Sequence, residues 1–231
     1  MIATKDFVFI HAPKTGGTFI TKNIEKLYDD IKEIADKHAY AQDIPKEYKE
    51  YPRLLTLREP LKWYESHYLY GWWRRRPETF PGFKNADIEN LSFYEFIKLW
   101  NENWADEVKD FENEKLRFGK LSYVTILYIF DNPKPILEDI LKNGTDDFWK
   151  RYNLPQNLTI LKTSNLNEGL FEFLSKFFNP KEIEFIKNQK RVRPEDDPRG
   201  EEEIKVEADK KILEYINFKE PILNELLGNL R

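Results

Sequence analysis

A short loop near the N-terminus combines residue types that bind anions. Lys14-Thr15-Gly16-Gly17-Thr18 follows the apolar run Phe7-Val8-Phe9-Ile10, which predicts a buried strand. Apolar residues then recur every three or four positions from Ile20 to Ile31, as they do in an amphipathic helix. Unpaired backbone N–H groups and the helix dipole favour an anion at such a junction, and two glycines let the backbone approach it. The lysine adds a mobile charge and the threonines add hydroxyls, so the loop is predicted to bind a phosphate.

The order of residues in this loop excludes two common nucleotide-binding motifs. A Walker A motif places its lysine directly after the second glycine, whereas Lys14 precedes both Gly16 and Gly17. The Gly-x-Gly-x-x-Gly pattern of dinucleotide-binding folds is also absent from the loop. The site therefore differs from those of ordinary kinases and dehydrogenases.

The segment Phe9-Ile10-His11-Ala12-Pro13-Lys14-Thr15-Gly16-Gly17-Thr18 closely resembles the 5′-phosphosulfate loop of the sulfotransferases. The similarity is greatest to the carbohydrate type, which includes the heparan and chondroitin sulfotransferases and their bacterial relatives. It is close to about residue 70 and continues beyond only as a pattern. The resemblance implies a P-loop-NTPase-like α/β fold with a central parallel sheet and helices on both faces. It also implies 3′-phosphoadenosine 5′-phosphosulfate (PAPS) as cofactor and sulfuryl transfer to a hydroxyl group, with a carbohydrate as the expected acceptor.

The same resemblance implies a second anion site. Family members carry an arginine at the end of a later strand and a serine eight residues on, and both bind the 3′-phosphate of the donor. Here Arg58 follows the strand-like run Arg53-Leu54-Leu55-Thr56-Leu57, and Ser66 lies eight positions later. The residue types suit this role, because ligands bind at the carboxyl ends of strands in open α/β sheets and an arginine fork matches phosphate oxygens.

Sulfuryl transfer to an alcohol is expected to need a base for the acceptor hydroxyl and a cation at the leaving oxygen. Lys14 is placed to be the cation. The segment Lys37-His38-Ala39-Tyr40-Ala41 resembles the His-Ala-x-Ala segment of carbohydrate sulfotransferases, in which the histidine is a candidate general base. We therefore expect His38 and Lys14 to be the catalytic residues, and no metal is required.

Other residues remain open as the base. The only other histidines are His11, beside the loop, and His67, which adjoins Ser66. The alternatives to His38 are His11 and a carboxylate, either Glu59, Glu65 or another, whereas His67 should point elsewhere on its helix.

A helix C-terminus rich in tryptophan and arginine follows Ser66. The segment Trp72-Trp73-Arg74-Arg75-Arg76-Pro77 could form the wall of a cleft for an acidic glycan, because aromatic rings stack on sugars and arginines pair with acidic groups. Equally, the tryptophans could belong to the core and the arginines could complement the helix dipole.

A late basic cluster is matched to the family only in composition. Family members close a basic loop over the nucleotide, but a solvated run of charge explains this cluster equally well. Its residues are Lys187, Lys190, Arg191 and Arg193.

Strands and helices are predicted to alternate, which favours a parallel sheet covered on both faces. Further strands are predicted at 123–130 and 158–162. Helices are predicted from Pro60 to Trp72 and at 91–104, 135–142, 166–178 and 180–188, with a loop at 193–200 and a final helix at 202–227, interrupted at Pro221.

Length and composition limit the classes of protein and of site that this chain can form. The chain has 231 residues, which predicts a single domain spanning 1–231, and 40% of them are hydrophobic, enough to bury a core. There is no cysteine, so thiolate zinc sites and cysteine nucleophiles are excluded. The net charge of −4, the lack of a signal-peptide pattern and the lack of a long apolar segment favour a cytoplasmic protein without a nucleic-acid or membrane partner.

Two rival functions keep the same fold. A P-loop kinase for a small molecule or nucleotide would need Mg²⁺ and a lysine after the second glycine, where this chain has Thr18. A non-catalytic protein could bind a nucleotide or glycan with the same loop and lack the chemistry.

Overall fold

The fold is built around a mixed β-sheet. The computed structural model describes residues 1–80, 82–84, 86–104, 118–190 and 206–230. In these ranges the sheet has five strands in the order β3-β1-β2-β4-β5. The strands are β1 (Ile2–Ala3), β2 (Val8–Ile10), β3 (Lys32–Glu33), β4 (Arg53–Leu57) and β5 (Leu158–Lys162).

Only part of the sheet is parallel, so the expectation of an all-parallel sheet is wrong at its N-terminal side. β2, β4 and β5 run parallel to one another, whereas β1 is antiparallel to both β2 and β3. The cause lies in the connection from β1 to β2, where the Thr4 amide bonds the Phe7 carbonyl in a tight turn. A turn of this length joins antiparallel strands, because a parallel pair needs a crossover of a dozen or more residues.

Helices cover both faces of the sheet, as predicted. They are α1 (Gly17–Leu27), α2 (Pro60–Tyr70), α3 (Trp72–Arg75), α4 (Phe93–Asn103), α5 (Lys120–Ile129), α6 (Lys134–Asn143), α7 (Phe148–Arg151), α8 (Leu166–Leu174), α9 (Pro180–Ile183), α10 (Phe185–Asn188), α11 (Lys210–Lys219) and α12 (Pro221–Asn229). Short 3-10 helices lie at Ala41–Asp43, Lys46–Tyr48, Pro77–Thr79 and Thr163–Asn165.

Two apolar cores lie on opposite sides of the sheet because successive strand residues point to opposite faces. Phe9 and Leu54 pack in the core that includes α1 and α8. Ile10 and Leu55 pack in the larger core that includes α2, α4, α5 and α12. Both strands are therefore buried on both faces, which explains their unbroken apolar sequence.

The strand predicted at 123–130 is wrong, because this segment forms α5. All residues of α5 except Tyr123 are buried. A helix buried on all sides has no polar stripe, and a short apolar run of this kind cannot be distinguished from a buried strand by periodicity.

The C-terminal predictions are met in part. The predicted helix at 180–188 is divided into α9 and α10, and the break at Pro221 separates α11 from α12. Residues 206–209 are not helical. The predicted loop at 193–200 and the first residues of the predicted final helix lie outside the described residues.

Candidate anion-binding site

The carboxyl ends of β2, β4 and β5 meet at one edge of the sheet, where three loops converge. Thr163 lies directly after β5, and its hydroxyl shares its one proton between the carbonyls of Thr15 (3.0 Å) and Leu57 (2.9 Å). Thr163 is buried. One side chain thus joins the glycine loop to the ends of the other two parallel strands.

The Thr15 side chain holds the loop from inside. Its hydroxyl donates to the Ala12 carbonyl (2.8 Å) and lies 2.7 Å from the Thr56 hydroxyl. Thr15 is completely buried. We therefore expect the backbone amide of Thr15, rather than its hydroxyl, to face an anion.

Helix α2 and the end of β4 hold the next two carbonyls. The indole N–H of Trp63 donates to the Pro13 carbonyl (2.8 Å), and the Arg58 guanidinium donates to the Lys14 carbonyl (3.3 Å). Together with the bonds above, four consecutive carbonyls, at positions 12 to 15, accept hydrogen bonds from side chains. We call this arrangement the carbonyl clamp.

The clamp leaves the amides of the loop available. Across the described residues, the amides of Thr15, Gly16, Gly17 and Thr18 have no protein acceptor. Those of Gly17 and Thr18 belong to the first turn of α1, where helical amides lack internal partners. Gly16, directly before α1, supplies no side-chain cap. Consecutive unpaired amides at a helix N-terminus form an anion-binding concavity.

Two backbone positions in the loop have a left-handed conformation. Gly16 has φ 91° and is suited to it, but Lys14 has φ 63° although it carries a side chain. Such a conformation costs about 1–2 kcal/mol for a non-glycine residue. Strain of this kind is found where a functional geometry requires it.

His11 lies against the start of α1. A Cβ atom at Gly17 would come within 1.9 Å of His11 Nε2, so only glycine permits this contact. Burial, followed by the charge of His38, lowers the pKa of His11 to about 3. The imidazole is therefore neutral at physiological pH and packs beneath the loop.

His38 is held through one ring nitrogen. Its Nδ1 lies 2.8 Å from the carbonyl oxygen of His11. A carbonyl only accepts hydrogen bonds, so Nδ1 carries the proton and Nε2 carries the lone pair. Burial lowers the pKa of His38 from 6.5, although the bond to His11 raises it. The ring is thus mostly neutral at pH 7, with Nε2 able to accept a proton.

Arg58 hydrogen-bonds to the glycine loop, whereas Ser66 does not. The bond from Arg58 to the Lys14 carbonyl brings the two predicted anion sites into contact. Ser66 lies on α2 and is 2% exposed, and its hydroxyl has no hydrogen-bond partner within the described part of the chain. Trp63, Ser66 and Tyr70 share one face of α2, since they are spaced three, four and seven positions apart.

The charges of the loop and of Arg58 act on the middle of α2. Burial lowers the pKa of His67 to about 3, and the next causes are the positive charges of Lys14 and Arg58. The ring of His67 packs edge-on against Trp100, with centroids 4.8 Å apart. His67 therefore supports the site as a neutral, packed side chain.

The two carboxylates considered as bases have other partners. Glu65 forms an ion pair with Lys62 (2.8 Å) one turn earlier on α2. Glu59 accepts a hydrogen bond from the Ser164 hydroxyl (2.7 Å). Both carboxylates are therefore engaged by other side chains.

Different residues of the tryptophan–arginine segment at 72–77 fit each of its two interpretations, a cleft wall and a packed helix end. Trp73 is completely buried, whereas Trp72 is 40% exposed. Arg74 and Arg75 donate to carbonyls near the C-terminus of α2, as cations at a helix end do. Trp72 is therefore the tryptophan of this segment that can meet an acceptor.

The late basic cluster is described only in part. Lys187 pairs with Glu168 (3.6 Å) and lies over the ring of Phe171. Lys190 ends a described range, and Arg191 and Arg193 lie outside the described residues.

Sequence reasoning missed two of the four side chains that form the carbonyl clamp, Trp63 and Thr163, and the ring that contacts Lys14, which is Tyr70. A polar residue directly after β5 was a usable signal for Thr163, because that edge of the sheet is where sites form. The sequence carries no comparable signal for the indole of Trp63.

The described residues contain no group of three or more side chains suited to a metal ion. In the same residues, no helix is long and apolar enough to cross a membrane. A comparison with protein-family models finds no match, and comparisons with curated proteins and with solved structures also find none.

Proposed function

We propose that this chain is a sulfotransferase that transfers the sulfuryl group of PAPS to a hydroxyl acceptor, with a carbohydrate as the first candidate. The observation that carries the proposal is the carbonyl clamp, which leaves the amides of residues 15 to 18 without protein acceptors. Arg58 bonds the loop itself, at the Lys14 carbonyl, and His38 bonds the carbonyl of His11 just before the loop. The resemblance of the loop to the 5′-phosphosulfate loop of sulfotransferases supports the same assignment.

The donor would bind through both anion sites. The loop amides and Lys14 would bind the 5′-phosphosulfate, since a helix N-terminus and an ammonium both favour negative charge. Arg58 and Ser66 would bind the 3′-phosphate. The unpartnered Ser66 hydroxyl supports this, because a donor without a protein acceptor is available to a ligand.

The transfer is an in-line displacement. An oxygen of the acceptor hydroxyl forms a bond to sulfur while the bond from sulfur to the bridging oxygen breaks. The hydroxyl proton passes to His38 Nε2, and the electron pair leaves with the phosphate of 3′-phosphoadenosine 5′-phosphate (PAP). The Lys14 ammonium would stabilise the charge that develops on that oxygen. The fixed tautomer of His38 favours this catalytic function over simple binding.

Ligand preference tests the proposal. PAP at ~100 times its dissociation constant is expected to stabilise the protein by about 2.7 kcal/mol without a metal. Thermal-shift measurements would compare PAP with 5′-AMP, and with ADP and ATP in the presence of Mg²⁺. Equal protection by 5′-AMP would contradict the 3′-phosphate site, and a preference for ATP with Mg²⁺ would favour a kinase.

The Arg58→Ala variant tests whether Arg58 binds the 3′-phosphate of PAP. A charge-assisted hydrogen bond contributes roughly 1.5–3 kcal/mol, so PAP affinity is expected to fall ~10- to 150-fold. The affinity for 5′-AMP should fall less, because that ligand lacks the 3′-phosphate and would be affected only by loss of the bond to the Lys14 carbonyl. Arg76→Ala is the control, since Arg76 is an exposed arginine that faces Glu78 at 3.7 Å. Calorimetry that finds unchanged PAP affinity in Arg58→Ala would remove this role.

A further inference from the structure

A second feature of the loop is an aromatic ring against the Lys14 ammonium. Lys14 Nζ lies 3.5 Å from the centroid of the Tyr70 ring. A cation within about 6 Å of a ring centroid is attracted by the electron density of the ring face. Tyr70 is the last residue of α2, the helix that also carries Ser66.

The Tyr70 ring has two further neighbours, Trp72 and Arg75. The ring of Trp72 lies nearly parallel to it, with an interplanar angle of 22° and centroids 6.4 Å apart. The Arg75 guanidinium lies 4.9 Å from the Tyr70 ring and donates to the Tyr70 carbonyl (3.1 Å). The ring thus packs among Lys14, Trp72 and Arg75.

Helix α2 holds the loop at two places. Trp63, in its first turn, bonds the Pro13 carbonyl, and Tyr70, at its last residue, contacts the next side chain, that of Lys14. Trp63 thus holds the backbone of the loop, and Tyr70 contacts the Lys14 side chain. The left-handed conformation of Lys14 directs the start of that side chain, and Tyr70 meets its end.

We propose that Tyr70 is a positioning residue that holds the Lys14 ammonium at the anion loop through its ring face. The functional part of this assignment rests on the proposed sulfuryl transfer, whereas the contact itself does not. Lysine has a flexible four-carbon side chain, so an unheld ammonium would spend only part of its time near the leaving oxygen. The ring needs no hydroxyl for this role, and phenylalanine should replace tyrosine.

The contact can be tested without any reaction. The lysines would be ¹³C-dimethylated, which keeps their charge, and the Lys14 signal would be assigned by its loss in Lys14→Arg. The ring is expected to shift this signal upfield in the wild type and in Tyr70→Phe. In Tyr70→Leu the signal should move to the position of ordinary lysines. An unchanged Lys14 signal in Tyr70→Leu would overturn the proposal.

The chain offers a matched control for this measurement. Lys187 Nζ lies 3.9 Å from the centroid of the Phe171 ring, in a pair that does not involve the glycine loop. Phe171→Leu should move the Lys187 signal and leave the Lys14 signal in place. If the Lys187 signal keeps its upfield position in Tyr70→Leu, this variant is folded. Its Lys14 signal can then be interpreted.

Turnover then tests the consequence for catalysis. With saturating PAPS, Tyr70→Leu is expected to lower kcat about 2- to 30-fold, the range of cation–π contributions, with a smaller change in the KM for PAPS. Tyr70→Phe should restore kcat. A Tyr70→Phe protein as slow as Tyr70→Leu would overturn the role of the ring. Absence of transfer in the wild type would instead contradict the proposed function, while the lysine signals would still decide the contact.

Discussion

A backbone carbonyl sets the chemistry available to His38. Since the His11 carbonyl engages Nδ1, the second ring nitrogen is left as the proton acceptor. The pKa of His38 is lowered from 6.5, chiefly by burial. A general base must be unprotonated, so the side chain is in the required state at neutral pH.

The first prediction concerns His38→Ala. Loss of a general base lowers the rate roughly 10²- to 10⁴-fold, and PAP affinity should stay unchanged because a base must reach the acceptor hydroxyl rather than the nucleotide. The wild-type rate should fall on the acidic side with a midpoint below 6.5, following the lowered pKa. The measurement is a pH–rate profile with an acceptor found by screening sugars, phenols and small alcohols.

Glu59→Gln and Glu65→Gln are the matching variants for this test, and both should retain most activity. If His38→Ala turns over normally and either glutamine variant is inactive, the base is a carboxylate. The transfer itself would remain possible.

The second prediction uses the strain at Lys14. Because φ is 63°, Lys14→Gly should be more stable than Lys14→Ala by about 1 kcal/mol, the reverse of the order in a regular helix. Both variants should lose about 10²–10³ in turnover, the cost of removing one contact to a developing charge. Urea denaturation and turnover at saturating PAPS measure the two effects. Equal stability would show that Lys14 is unstrained, and wild-type turnover would remove it from the chemistry.

At the scale of elements, the site depends on hydrogen bonds between loops. The carbonyl clamp draws on β4, α2 and the turn after β5 to fix one loop after β2. Each of these contacts comes from the same edge of the sheet. An anion site made of amides needs such support, because the amides bind only if the backbone keeps its orientation.

The third prediction tests that support through Thr163→Val. The substitution keeps the side-chain shape but removes the donor to the carbonyls of Thr15 and Leu57. Leaving buried carbonyls unpaired costs about 1–3 kcal/mol, and PAP binding should weaken together with stability. Ser164→Ala, which removes an exposed hydroxyl bonded to Glu59, should cost much less. Equal effects of the two variants on PAP affinity would show that the clamp does not shape the site.

At the scale of the whole molecule, a buried carboxylate connects the C-terminal helices to α2. Glu220 is completely buried and accepts hydrogen bonds from the Tyr64 hydroxyl and from the amides of Leu121 and Ser122 at the start of α5. It therefore serves as the N-terminal cap of a helix that has no side-chain cap from Gly119. Asn101 joins the same network through Tyr64.

The fourth prediction is a pH-dependence of stability. Burial raises the pKa of Glu220 from 4.5 to about 7, so the folded state binds this proton more tightly than the unfolded state. Its contribution is fully present below pH 4.5 and is lost as the pH rises to 7. The free energy of unfolding should therefore fall by about 1–3 kcal/mol from this group. Urea denaturation at pH 5 and pH 8 measures it.

Glu220→Gln isolates this contribution. His11 and His67 act in the opposite direction, since the pKa of each is lowered to about 3 and their contribution is lost as the pH falls below 6.5. The difference between wild type and Glu220→Gln cancels the histidines. From pH 5 to pH 8, the free energy of unfolding of the wild type should fall relative to that of Glu220→Gln. A constant difference between the two would show that Glu220 does not titrate in this range.

The sequence alone determined the local parts of this protein. The run Val8–Ile10, the glycine pair and the periodic residues of α1 specify a strand, a tight loop and a helix, because each depends on neighbours a few positions away. β4 and β5 were predicted with their observed bounds for the same reason. Lys14 could be selected from its residue type and its place after a strand, whereas Arg58 was selected from the resemblance to the sulfotransferases.

Contacts between residues far apart in the sequence were decided only by the tertiary structure. Whether 123–130 was a strand or a helix depended on what buries it, and the pairing of β1 with β3 brings Ile2 beside the distant Glu33. The inward hydroxyl of Thr15, the tautomer of His38 and the ring at Lys14 each depend on a partner 41, 27 or 56 positions away. Hydrogen bonds and ring contacts between residues so far apart leave no periodic trace in a sequence, so the fold had to bring them together before they could be assigned.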